Sequence, residues 1–170
     1  MVELMVVIII MAILGLAVIP SLMGSSDKAK YSRAWSDLSA ISNAFTAFYG
    51  KVGNLPDVAI DEENGTWTLT PGTGSEWTNA GITTPTLAKD LLQSFLGKPL
   101  DKIKDPWGAS YAIVDGWTPA TGKGHIVVYV DPGTTTGKDA DFGGDIKESA
   151  RKDPYNGDRP MAKLIINVPE

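Results

Sequence analysis

With 170 residues, a formal net charge of −5 and no cysteine, the chain is long enough for one globular domain plus one further element. The composition excludes disulfide stapling and thiol nucleophiles, and with His125 as the only histidine it excludes a His-rich metal centre. No Lys/Arg cluster is dense enough for a nucleic-acid surface. No G-x-S-x-G elbow or phosphate-cradling glycine loop occurs either, so no catalytic residue is assigned and the chain reads as non-enzymatic.

The charge is unevenly spread. Between Glu3 and Asp27 there is none, and Leu4–Met23 reads LMVVIIIMAILGLAVIPSLM. About 20 apolar residues at 1.5 Å rise span the roughly 30 Å hydrocarbon core of a bilayer. An ordinary single-pass anchor and an untrimmed export signal are the plain readings of such a run. Glu3 argues for more, because a carboxylate at the head of a membrane segment costs about 2.5–3.5 kcal/mol unless a partner meets it. Pro20 removes one helical hydrogen bond and crowds the preceding turn, while Gly15 and Gly24 weaken the helix on either side. A break between Gly15 and Gly24 is therefore expected, as a gentle kink or as a melted stretch.

After Gly24 the period becomes amphipathic. Tyr31, Ala34, Trp35, Leu38, Ile41, Phe45 and Phe48 recur at three- and four-residue steps, with Lys30, Arg33, Ser36, Asp37 and Asn43 on the other side. This predicts a helix whose stripe packs on a sheet and which ends at Gly50, Gly53 and Pro56. Residues 57–85 read as loop-rich, with turns at Asn64-Gly65 and Pro71-Gly72 around a strand-like Thr66–Thr70. A short helix is expected over Thr86–Leu96, with Thr86 as cap, Leu87, Leu91, Leu92 and Phe95 as apolar face, and Gly97 as its close. Strands are expected at Ser110–Val114, His125–Val130 and Ala162–Val168, the first two joined as an antiparallel hairpin, with His125 a structural strand residue. The fold class is α+β: a long N-terminal helix on a small antiparallel sheet. The organisation is 1–24 apolar helix, 25–53 amphipathic helix and 54–170 globular head.

Residues 131–145 place Asp131, Asp139, Asp141 and Asp145 among glycines and threonines. Four crowded carboxylates with little apolar material to pack suit a Ca²⁺ ion, which gathers six to eight oxygens. The same residues also read as a solvated acidic turn held by side-chain-to-backbone hydrogen bonds.

The N-terminal pattern MVELMVVIII, with Glu3 at the head of the apolar run and Pro20 seventeen residues later, resembles the type IV pilin-like superfamily. The run Asp105-Pro106-Trp107-Gly108 with Tyr111 just beyond, ahead of a strand, is similar to a signature of the major pseudopilins of type II secretion systems. The resemblance implies a pilin-like fold, a chain N-methylated at its mature start, two residues ahead of Met1, and a processed form lacking its basic leader. It implies that Glu3 serves assembly, meeting the terminal amine of a neighbouring subunit. It implies helix disruption around Pro20 in the assembled filament, a structural turn at Pro106, Trp107 and Gly108, and Ca²⁺ in the 131–145 loop. The expected role is that of a homo-oligomeric filament subunit that waits in the bacterial inner membrane and assembles into a periplasmic pseudopilus driving protein export. Its partners would be minor pseudopilins and assembly-platform proteins, with no nucleic acid. A surface type IV pilus subunit is the alternative in the same fold, and a non-polymerising membrane-anchored binding domain the alternative of another class.

Overall fold

The computed structural model describes residues 2–61, 66–130 and 150–168, with backbone alone at 15–24, 114–115 and 166–168. One helix, α1 (Val2–Val52), makes up the stem. It is followed by strands β1 (Asp57–Asp61) and β2 (Thr66–Thr70), helices α2 (Ser75–Asn79) and α3 (Pro85–Leu96), and a 3-10 turn at Leu100–Lys102. Strands β3 (Tyr111–Asp115) and β4 (Gly124–Val130), a two-residue pair β5 (Lys152–Asp153) and β6 (Arg159–Pro160), and β7 (Ala162–Val168) complete the head. The α+β architecture of a long helix with small antiparallel sheets is the one the sequence predicts.

The upper half of α1 is fixed by its apolar stripe. Ala34, Leu38, Ile41, Phe45 and Phe48 are all fully buried, packed against α3 on one side and β7 and β4 on the other. Burying each of the larger side chains contributes about 1.5–3 kcal/mol. The helix stops where Gly53 adopts a φ of 83° and its N–H caps the Tyr49 carbonyl at 2.7 Å, a left-handed closure open to glycine.

The main sheet runs β3-β4-β7, all antiparallel, so β4 is central and its Ile126–Val130 stretch is buried. Tyr111 pairs with Val130 and Asp115 with Ile126 across β3 and β4, the expected hairpin. On the β7 side Ile126 pairs with Ile166 but Val127 with Leu164, so Ile165 is the extra residue of a β-bulge. The hairpin closes tightly: a Cβ on Gly124, whose φ is 112°, would come within 2.0 Å of the Gly116 carbonyl oxygen. His125, the next residue, lies in β4 with its ring against Gly116.

Three details differ from the sequence expectation. Residues 57–61, read as loop, form β1, which pairs along its length with β2 from Asp57–Thr70 to Asp61–Thr66. Five residues are too few to show a period, and the strand is stabilised by a partner outside any local window. The cap of α3 is Thr84, not Thr86: its hydroxyl accepts from the Leu87 N–H at 3.4 Å, and Pro85 takes the first helical position, where a missing N–H costs nothing. The buried face of α3 is Ala88 and Leu92, with Leu87 and Phe95 exposed, because the helix is rotated to lay its small residue against its neighbours. Gly97 closes α3 in the left-handed conformation, as expected.

Asn54, buried just past the end of α1, ties three segments together. Its Nδ2 donates to Glu76 Oε1 at 3.0 Å and to the Pro119 carbonyl at 2.9 Å. Its Oδ1 accepts from the Leu55 N–H at 2.8 Å and from Trp117 Nε1 at 3.0 Å. All four hydrogen-bonding valences of the amide are thus used. The side chain joins the helix end to α2 and to the turn between β3 and β4.

Candidate functional site

The lower half of α1 carries the first candidate. Glu3 lies in the first helical turn, exposed, where a carboxylate complements the free N–H groups of the helix start. From Val2 to Leu14 the large apolar side chains are uncovered, ranging from 48% exposed at Val7 to 74% at Val2. Among the described residues no helix is long and apolar enough to cross a membrane; the apolar run of the sequence continues through 15–24, where the structure gives backbone alone. That backbone is helical through Gly15, Pro20 and Gly24. In the single subunit the helix therefore runs on across these residues, and the disruption that the resemblance implies is one of the assembled filament.

The second candidate lies where the head begins. Asp105 and Gly108 bound a turn, with Gly108 N–H donating to the Asp105 carbonyl at 3.1 Å and Pro106 and Trp107 in the central positions. The Asp105 carboxylate, 4% exposed, folds back on the same turn: Oδ1 accepts from the N–H groups of Trp107 at 2.9 Å and Ala109 at 2.8 Å. Its Oδ2 has no hydrogen-bond partner among the described residues. Lys104 and Ser110 bridge behind the turn, which leads the chain into β3. Gly108, at a φ of 97°, supplies the backbone conformation that the return requires.

This turn holds Trp107 against the stem. The Tyr31 ring meets it edge-on at 5.0 Å between centroids, and Tyr155 meets Tyr31 in the same way at 5.5 Å. The Arg151 guanidinium lies over the Trp107 face at 4.1 Å, a cation–π contact. One helical turn above Tyr31, Trp35 Nε1 donates to the buried Asp153 carboxylate at 2.8 Å. Sequence reasoning picked out Pro106, Trp107 and Gly108 but not Arg151, Asp153 or Tyr155. The only local signal was the Tyr31–Trp35 spacing, which puts two aromatics with polar tips on one helix face.

Asp37, read from the sequence as part of the solvated side, is instead 15% exposed and central to a network. It faces Arg33 Nε at 3.6 Å and Lys98 Nζ at 3.4 Å, and accepts from the Tyr111 hydroxyl at 3.2 Å. Burial, reinforced by the Asp37 carboxylate, pushes the Tyr111 phenol well above its ordinary value of 10.0. Above pH 10 the unfolded chain loses this proton while the folded chain keeps it, so stability falls by about 1.4 kcal/mol per pH unit from this group. Tyr111→Phe is expected to remove that component, seen as a flatter alkaline limb in denaturant midpoints measured from pH 9 to pH 11.

Asp131, Asp139, Asp141 and Asp145 lie outside the described residues. The segment's two ends are described, and they are pinned together. Arg151 N–H donates to the Val130 carbonyl at 2.8 Å, Val130 N–H to the Met161 carbonyl at 3.0 Å, and Met161 N–H to the Arg151 carbonyl at 2.9 Å. Among the described residues no group of three or more His, Asp or Glu side chains is placed to hold a metal.

An exposed apolar half-helix headed by a carboxylate, a head packed on its other half, and an Asp-Pro-Trp-Gly turn at their junction form the frame for comparison with known proteins. Type II secretion system core protein G of Escherichia coli (strain K12) is 32% identical over 113 residues, 66% of this chain and 68% of that relative. The chain belongs to the core protein G family, the major pseudopilins of type II secretion. Core protein G of Aeromonas hydrophila is 29% identical over 113 residues, covering 66% of this chain and 68% of its own length. That of Dickeya chrysanthemi is 30% identical over 112 residues, covering 66% of this chain and 63% of its own length. No family model matches the chain and no solved structure matches it. Membership of the pseudopilin family makes the chain a component of a secretion machinery.

Proposed function

We propose that the chain is a non-enzymatic structural subunit that polymerises into a helical pseudopilus in the periplasm. The observation that carries this reading is the uncovered apolar rod from Val2 to Leu14 on a helix whose other half packs its apolar stripe against the head. Such a surface needs either lipid or sister subunits around it. The subunit waits in the inner membrane through this rod and trades lipid for neighbours on assembly. Glu3 pairs with the terminal amine of an adjacent subunit, which sets register. Minor pseudopilins and assembly-platform proteins complete the machinery, and no nucleic acid is involved. The family relation favours a pseudopilus over a surface pilus. Negative-stain electron microscopy of the full chain co-expressed with its secretion apparatus is expected to show filaments; a population of monomers alone would refute polymerisation.

Within this reading Asp131, Asp139, Asp141 and Asp145 hold Ca²⁺. Their carboxylates, with the backbone carbonyls of a Gly- and Thr-rich loop, are the hard oxygen donors this ion takes. The pinned ends at Val130 and Arg151 limit the entropy lost when the loop closes on an ion. Bound ion would then tie down the C-terminal region in a chain that has no disulfide to do so. Excess EDTA is expected to lower the melting temperature, with recovery on adding Ca²⁺ but not Mg²⁺; an unchanged melt removes the metal from the account.

A further inference from the structure

The junction of stem and head carries more surface than packing requires. Tyr31 is the first residue along α1 to pack an aromatic ring against the head, through Trp107 and Tyr155, and Tyr155 itself remains 49% exposed. Around these rings, residues 27–33 of α1 and 151–159 of the head supply six basic residues, Lys28, Lys30, Arg33, Arg151, Lys152 and Arg159, against the acidic Asp27, Asp153 and Asp158. Asp153 is buried beneath this face, where it accepts from Trp35, and two of the cations are shared with carboxylates on the stem, Lys30 with Asp27 at 3.5 Å and Arg33 with Asp37 at 3.6 Å. In a chain whose formal net charge is −5, this end of the head is locally positive.

Its height matters. The apolar run ends at Met23, and Tyr31 lies eight residues further on, about 12 Å along the helix axis. The polar headgroup layer adds about 5–8 Å beyond the hydrocarbon on each side. Exposed Lys28, Lys152, Arg159 and Tyr155, with the half-buried Lys30, have side chains long enough to close the remainder, the more so if the helix tilts by the usual ~20°. Aromatic rings with polar tips beside Lys and Arg are the composition that settles at a headgroup layer.

We propose that this face is a lipid-docking surface: before assembly, the underside of the head rests on anionic phospholipid headgroups through Tyr155, Lys28, Lys30, Lys152 and Arg159. This rests on the membrane-waiting state proposed above. Docking holds α1 at a fixed depth, and the contacts are given up when the subunit leaves the bilayer. Extraction then has an electrostatic component set by the lipid composition, separate from the apolar one.

The absence of cysteine allows single-site labelling of the full chain reconstituted in vesicles. Asn156→Cys, on the turn beside Tyr155, takes a fluorophore at the proposed face. Thr121→Cys, exposed in the turn next to Asn54 at the far end of the head, is the control, and Ile10→Cys reports the rod. With nitroxide at the lipid headgroup, the fluorophore at 156 is expected to be quenched in phosphatidylglycerol-rich vesicles and much less in pure phosphatidylcholine, while that at 121 is unaffected in both. Neutralising Lys28→Gln, Lys30→Gln, Lys152→Gln and Arg159→Gln singly should each reduce the docked population about fivefold. About 0.5 M salt should release the wild-type head without any variant. If the Ile10 fluorophore is quenched by nitroxide on the acyl chains but the one at 156 is unquenched, or equally quenched in both lipids, lipid docking is wrong and the membrane reading survives. If the Ile10 fluorophore is not reached by acyl-chain nitroxide, the membrane-waiting state itself fails and docking falls with it.

Discussion

Glu3→Gln is expected to abolish filaments at native expression while leaving the head folded. In a filament the apolar halves of α1 would surround one another, so the first turn would lie in a medium of low dielectric. There a carboxylate and an ammonium tolerate burial together far better than either does alone. Removing one member of a buried pair costs about 3–5 kcal/mol, because the other charge stays behind unpaired. Per subunit added, that is about 10²–10⁴ in the association constant, enough to stop growth. Glu3 also complements the helix start, but losing that contribution costs only about 0.3–1 kcal/mol and acts on the monomer. The two roles separate in one experiment. Thermal unfolding of the head should be unchanged, since Glu3 is exposed and far along the helix from the first head contact at Tyr31. Filament counts by electron microscopy should fall to background, with partial recovery in Glu3→Asp. Normal filaments from Glu3→Gln would remove the ion pair from the assembly mechanism.

The largest effect on the fold itself is expected at Asn54. Asn54→Ala leaves the Leu55 N–H, Trp117 Nε1 and the Pro119 carbonyl without the partners they have now. Each buried polar group so stranded costs about 1–3 kcal/mol, and since some relax together a total of about 3 kcal/mol is expected. For a chain of this size that is a fall of about 6–12 °C in melting temperature. Asn54→Asp refines the test. It keeps the acceptor for Leu55 and Trp117 but turns a carboxylate oxygen toward Glu76 and the Pro119 carbonyl, where Nδ2 now donates. Glu76 is held below its ordinary 4.5 by its own backbone N–H and then by Asn54, so it is ionised at neutral pH and would repel the new charge. Asn54→Asp should therefore be as damaging as Asn54→Ala at pH 7 and recover part of its stability near pH 4, where a protonated carboxyl can donate. Equal destabilisation by Asn54→Asp at both pH values would show that shape, not hydrogen bonding, makes the position sensitive.

Features whose cause lies within a few residues are legible in the amino-acid order alone. The two parts of the stem helix follow from a long apolar run and the three- and four-residue spacing from Ala34 to Phe48, although the break expected between Gly15 and Gly24 is absent from the backbone. The close of α3 follows from Gly97, and the turn before β3 from the order Asp-Pro-Trp-Gly. The alternation of Thr66–Thr70 and the apolar composition of Ala162–Val168 placed two strands at their observed bounds. Where a local signal was ambiguous it misled by a residue or two, as at the cap of α3, where Thr84 and Thr86 flank the same proline and only the helix start decides between them.

Tertiary structure alone decided which of these pieces meet. Trp35 and Asp153 are 118 positions apart, and Tyr111 and Asp37 are 74 apart. No periodicity carries such a pairing, because it is selected by the total burial of the fold and not by the preference of either segment. The same holds for β1, an unremarkable five residues until β2 satisfies its backbone, and for Asn54, whose amide becomes a junction only when α2 and the turn between β3 and β4 arrive on either side. A polar side chain's role depends on what it is desolvated against, and that is a property of the assembled core.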